Sequence, residues 1–119
     1  TGLLMARYGM QTKLAVLTGK ILGNAKGGIY ENLISEMLVK RGYGLNYYKT
    51  DSSTMEIEFI IEKNGEVVPV EVKAGNTSTP SLNRFLERYH PSLAYKLVDG
   101  NIGTNGVKIT LPHYMAMFL

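Results

Sequence analysis

Two glutamates and a lysine carry the clearest chemistry in this chain. They lie within residues 55–74, MEIEFIIEKNGEVVPVEVKA, where two runs rich in Val, Ile and Phe flank Asn64-Gly65. An Asn-Gly pair between alternating apolar residues is the strongest short-range signal for a β-hairpin. If Asn64 and Gly65 form the two-residue loop, Lys63 pairs with Glu66, Glu58 falls opposite Glu71, and Glu56 falls opposite Lys73. These are non-hydrogen-bonded positions, where Cα atoms approach to about 4.5 Å. Two carboxylates facing each other at that range repel, so folding alone gives no reason to place them there. A divalent cation between them gives one, because Mg²⁺ takes one or two carboxylates and fills its shell with water and phosphate oxygens. Lys73 is two residues from Glu71 on the same face, within reach of anything bound to that ion. The competing reading is the solvated face of an amphipathic hairpin. A three-residue loop would flip one strand and dissolve the pairing.

The elements that must position these residues are legible from periodicity. In the first run Met55, Ile57, Phe59 and Ile61 alternate with Glu56, Glu58, Ile60 and Glu62; in the second Val68, Val70, Val72 and Ala74 alternate with Pro69, Glu71 and Lys73. Each strand is expected to show one apolar and one charged face. Upstream, Tyr30, Leu33, Ile34, Met37 and Leu38 form one stripe and predict a helix over 29–41, closed by Lys40, Arg41 and Gly42. Glu31 sits at the edge of that stripe, in what is read as the first turn, where the helix dipole favours a carboxylate. Residues 1–28 read as one or two brief helices followed by a loop over 18–28, punctuated by Gly19, Gly23, Gly27 and Gly28.

Residues 44–50 read as a strand and 51–54 as a turn. After the hairpin and a short loop, Thr79 and Pro80 look like the N-cap and first position of a helix whose apolar side is Leu82, Phe85, Leu86 and Tyr89. Its outer side carries Arg84 and Arg88, read either as a solvated basic face or, with Lys49 and Lys73, as contacts for phosphates. Strands over 94–98 and 107–111 follow, then a short helix opened by Pro112. His90 and His113 are isolated and read as capping or surface histidines. The helix at 80–89 suits a crossover into a parallel strand. The expected architecture is therefore α/β: an antiparallel meander plus a parallel crossover strand in one mixed sheet, with helices on both faces.

The 119 residues suffice for one domain; the net charge of +3 permits a phosphate-rich partner without demanding one. There is no cysteine, hence no disulfide frame and no thiolate metal site. No apolar run reaches the roughly 18 residues that span a bilayer, and no secretory signal is visible, so a cytoplasmic protein without membrane attachment is expected. The chain opens on Thr1, which suits a domain cut from a longer protein and equally suits removal of an initiator Met.

Glu31 on a helix, Glu58 on a strand and Glu71-Val72-Lys73 on the next strand together resemble the PD-(D/E)xK nuclease superfamily, with its restriction-endonuclease-like fold. More closely, TGLL at 1–4, GGIYENLISEML at 27–38, YYK at 47–49, EIEFIIE at 56–62, VVPVEVKAG at 67–75 and SLNRFLERYHP at 81–91 resemble the uncharacterised C-terminal domain of bacterial and archaeal AAA-type ATPases. The resemblance implies a connecting segment over 1–28, a nuclease-like domain over 29–119, and an ATPase domain on the N-terminal side as partner. It implies Mg²⁺ or Mn²⁺ held by Glu58 and Glu71, with Lys73 as the motif lysine and Glu31 as the helix acid that joins the site. The implied activity is hydrolysis of DNA phosphodiesters. Two alternatives stand beside it: a non-catalytic module of the same fold that binds DNA or a protein partner, and an oligomerisation or regulatory domain.

Overall fold

The hairpin forms with the expected register. In the computed structural model, which describes residues 2–20, 24–52 and 54–119, strands β2 (Glu56–Lys63) and β3 (Glu66–Val72) pair antiparallel from Lys63↔Glu66 to Phe59↔Val70. Asn64 and Gly65 adopt φ of 55° and 78°, the two left-handed residues that a twisted two-residue hairpin needs. Pro69 faces Ile60, at a position whose missing N–H would point away from β2.

Around this hairpin the chain builds one six-stranded mixed sheet, adding β1 (Asn46–Lys49), β4 (Ala94–Val98), β5 (Gly103–Asn105) and β6 (Lys108–Pro112) in the order β1-β2-β3-β4-β6-β5. The β1–β2–β3 meander is antiparallel, β3–β4 and β4–β6 are parallel, and β5–β6 is antiparallel. The short edge strand β5 was not foreseen; three residues with two glycines nearby carry no strand periodicity. Helix α4 (Pro80–Tyr89) makes the crossover between β3 and β4. Thr79 precedes it without a side-chain cap bond, and His90 ends it in the left-handed conformation, so His90 is a cap through its backbone.

Helix α3 (Asn24–Lys40) and the terminal 3₁₀ helix (His113–Phe118) cover one face of the sheet. Ile34 and Leu38 are fully buried there against Phe59, Ile61, Val68, Val70, Val72, Tyr95, Leu97 and Leu111. Each such side chain contributes about 1.5–3 kcal/mol. On the other face Leu82 and Phe85 of α4 close over Met55, Ile57 and Ala94. Helices α1 (Gly2–Arg7) and α2 (Met10–Leu17) precede these layers and contain no buried residue.

Three expectations are corrected. Residues 24–28 are helical rather than loop, because α3 runs straight through Gly27 and Gly28; packing of its apolar stripe outweighs the roughly 1 kcal/mol that each glycine costs. Glu31 is therefore not in the first turn, and the dipole reading falls. The Gly23 break and Ser53 of the turn lie outside the described residues, as does Thr1. Finally, β2 does not keep one apolar face. Its register against β1 shifts by one residue between Asn46↔Ile60 and Tyr48↔Ile57, a β-bulge. Met55 and Ile57 consequently pack under α4, while Phe59 and Ile61 pack under α3.

Candidate functional site

Glu58 sits inside that bulged stretch, where the β2–β3 ladder stops. On its other edge β3 pairs with β4 from Val70 to Val72, and the Lys73 N–H donates to the Leu97 carbonyl over 2.9 Å. The Val72 N–H, whose ladder partner on β2 is lost at the split, donates instead to Glu58 Oε2 at 3.3 Å. A carboxylate thus takes the place of a strand carbonyl and is held by backbone. Glu71 lies on the buried central strand and is only 2% exposed. Lys73 Nζ stands 2.6 Å from Glu71 Oε1 and 3.7 Å from Glu58 Oε1. Glu56 does not face Lys73 as the extrapolated register required. It pairs with Lys49 on β1, and their charged groups are 3.5 Å apart.

The electrostatics follow from burial. Desolvation, then a hydrogen bond shared with Glu71, then the Glu71 charge push the Glu58 carboxyl up to about 7. Burial opposes the Lys73 ammonium, but its bond to Glu71 and the two carboxylate charges outweigh this and hold its pKa above the ordinary lysine value. Glu31 approaches from α3. Its pKa is raised by partial burial and next by the Glu58 charge, with Lys73 opposing. Glu71 Oε2 is buried with no hydrogen-bond partner.

Two carboxylates converging on one buried point, one of them with an orphan oxygen, fit the donor set that a Mg²⁺ or Mn²⁺ ion takes from a protein. Among the described residues no group of three or more His, Cys, Asp and Glu side chains is placed to hold an ion. Lys49, Arg84 and Arg88 make other contacts. Arg84 donates to the Thr54 carbonyl at 2.9 Å, Arg88 lies over the Tyr89 ring at 5.4 Å, and Lys49 and Arg88 line a surface hollow with Asp51.

The chain belongs to the DUF4143 family. Its description is a domain of unknown function, and the family's model matches residues 26–111. No curated protein and no solved structure matches the chain. The matched DUF4143 segment holds Glu31, Glu58, Glu71 and Lys73, whereas α1, α2 and the terminal 3₁₀ helix lie outside it. No helix among the described residues is long and apolar enough to cross a membrane.

Two residues near the site escaped the sequence reading. His113 is neither a surface nor a capping histidine. It is 8% exposed, its Nε2 is 2.7 Å from the Lys73 carbonyl oxygen, and its ring stacks on Tyr30 with centroids 4.1 Å apart. Burial lowers its pKa, so the neutral ring that donates to this carbonyl is the favoured form. Lys96 is also buried, and parallel pairing sets it beside Glu71. The available signal was a lysine in the middle of the otherwise apolar run AYKLV.

Proposed function

We propose that this DUF4143 domain hydrolyses phosphodiester bonds of DNA, using Mg²⁺ or Mn²⁺ held by Glu58 and Glu71. The observation that carries this is the pair of half-buried Glu58 and buried Glu71 with Lys73 2.6 Å from Glu71, set where the β2–β3 ladder ends. A repulsive, desolvated acid pair costs stability, and a metal-binding role explains its presence. A divalent ion at this position supplies polarisation of a phosphate and a more acidic bound water. The chain's own residues do the rest. Glu58 is fixed by the Val72 N–H, and Glu71 by its strand. Lys73 presents a fixed positive charge that orients an attacking oxygen or stabilises charge developing on the phosphate. His113 holds the backbone carbonyl of Lys73 in place. The net charge of +3 suits a polyanionic substrate. By the resemblance of its motifs, the domain works at the C-terminal side of an AAA-type ATPase, which would supply any ATP-driven step.

A second reading is a non-catalytic module of the restriction-endonuclease-like fold that binds DNA or a protein partner. It is favoured by the Lys73–Glu71 contact, which already neutralises the buried carboxylate, and by the lack of a third ligand among the described residues. Cleavage assays on supercoiled, linear duplex and single-stranded DNA with Mg²⁺ or Mn²⁺ separate the two. The nuclease reading expects metal-dependent cleavage that falls at least about a hundredfold in Lys73→Ala. Binding without cleavage, or cleavage equal in the variant, overturns it.

A further inference from the structure

The acid pair has a cationic counterpart on the neighbouring strands. Val70 and Val72 of β3 pair with Tyr95 and Leu97 of β4, and all four belong to the core under α3. The residues between them, Glu71 and Lys96, are a registered pair on the opposite face, the side of α4. On that face β6 adds Lys108, level with Ala94, and Lys73 follows the end of β3. Three lysines thus lie across three adjacent parallel-paired strands, about 4.8 Å apart per strand.

The partners of these lysines are informative. Lys73 has the carboxylates. Lys96, 9% exposed, gives its ammonium to Asn76 Oδ1 at 3.0 Å, and Lys108 gives its own to Asn83 Oδ1 at 2.9 Å. Among the described residues neither ammonium has a carboxylate at ion-pairing distance. An amide oxygen fixes an ammonium's position without cancelling its charge, and leaves two of its three donors unspent. A buried, mutually repelling cation held by a neutral side chain is costly to folding. Asn76 sits in the loop that follows β3, and Gly100 in the loop that follows β4; a Cβ on Gly100 would lie 3.3 Å from Val98 Cγ2 and 3.6 Å from Asn76 Nδ2. The two loops close together at the carboxyl ends of parallel strands, where open α/β sheets bind ligands.

We propose that Lys96 and Asn76, supported by Lys108, form an anion-binding position beside the acid pair that takes a phosphate of a nucleic-acid backbone. The identity of that phosphate rests on the nuclease reading; the anion position itself does not. In this arrangement Lys96 is a positioning residue: it seats a phosphate next to the one presented to Glu58 and Glu71.

The test uses the whole chain, with inorganic phosphate as the first probe and a mixed-sequence DNA duplex without divalent metal as the second. Phosphate titration followed by amide chemical shifts is expected to move resonances around residues 76, 96 and 100. Lys96→Met keeps the stem and drops the charge, and should weaken that response by roughly ten- to a hundredfold. Asn76→Asp, on an exposed loop residue, puts a carboxylate against the ammonium and should abolish the response with the fold intact. For DNA, Lys96→Met should reduce the slope of log affinity against log salt by about one. An equal phosphate midpoint in the parent and Asn76→Asp overturns the anion position, whether or not Lys96→Met folds. A lost phosphate response with an unchanged DNA salt slope overturns the nucleic-acid assignment. If the parent cleaves nothing while both variants lose phosphate, the anion position stands and the nuclease reading falls. Cleavage with unchanged phosphate binding gives the reverse.

Discussion

Replacing Glu58 by Gln isolates the cost of the acid pair. The amide oxygen of Gln can still accept the Val72 N–H, and the volume is nearly unchanged, so the substitution removes the titration and the 3.7 Å charge contact with Lys73. Glu58 is raised from the ordinary glutamate value of 4.5 to about 7, by burial first and by Glu71 next. At about 1.4 kcal/mol per pH unit this corresponds to about 3 kcal/mol. With 19% of the side chain open to water, screening brings the expected effect down to about 2 kcal/mol. The sign follows from linkage. The folded state holds the Glu58 proton more tightly than the unfolded state, so the associated stability is complete below pH 4.5 and is lost as pH rises through 7. His113, with its lowered pKa, destabilises in the opposite direction as pH falls, but it is present in both proteins and cancels in the difference. Urea unfolding from pH 5 to pH 8 should therefore show Glu58→Gln gaining about 2 kcal/mol on the parent across the range, or roughly 8 °C in Tm at the alkaline end. Parallel stability curves for the two proteins would refute the buried, coupled carboxylate.

Calorimetric titration of Mn²⁺ is expected to give a single-site signal in the parent and none in Glu71→Gln, while Lys73, 3.7 Å from Glu58, keeps a partner and the variant stays folded; equal heats would sink the metal assignment. If Arg84 and Arg88 contact phosphates, the double alanine variant should bind DNA more weakly and lose about two from the salt slope, and an affinity that does not change removes them from the interface. Leu82→Ala, at a fully buried position under α4, should cost about 2–5 kcal/mol in chemical denaturation. A cost below about 1 kcal/mol would contradict the packing of α4 on Ile57 and Ala94.

The fold was legible to a high degree because its signals are local. Asn64-Gly65 set the hairpin register through backbone conformation alone, and that register reached Phe59↔Val70 as counted from the sequence. The stripes on α3 and α4 named the two helices that cover the sheet, and the α4 crossover implied a parallel β4. What local signals could not convey was the length of α3. Glycines argue against helix, yet α3 runs through residues 24–28 ahead of the stripe that docks on the sheet.

The candidate site divides in the same way. Residue types and spacing by themselves selected Glu58, Glu71 and Lys73, because a repulsive pair opposite a hairpin turn is visible to counting. The tertiary structure alone decided how they meet. The bulge in β2 and the end of its ladder with β3 at Phe59↔Val70 remove Glu56 from Lys73 and leave the Val72 N–H for a carboxylate. What Lys96 and His113 contact was unreadable for one physical reason. Their roles depend on which strand lies beside β3 and on what packs beneath its end, and contacts between residues 25 to 40 positions apart leave no periodic trace along the chain.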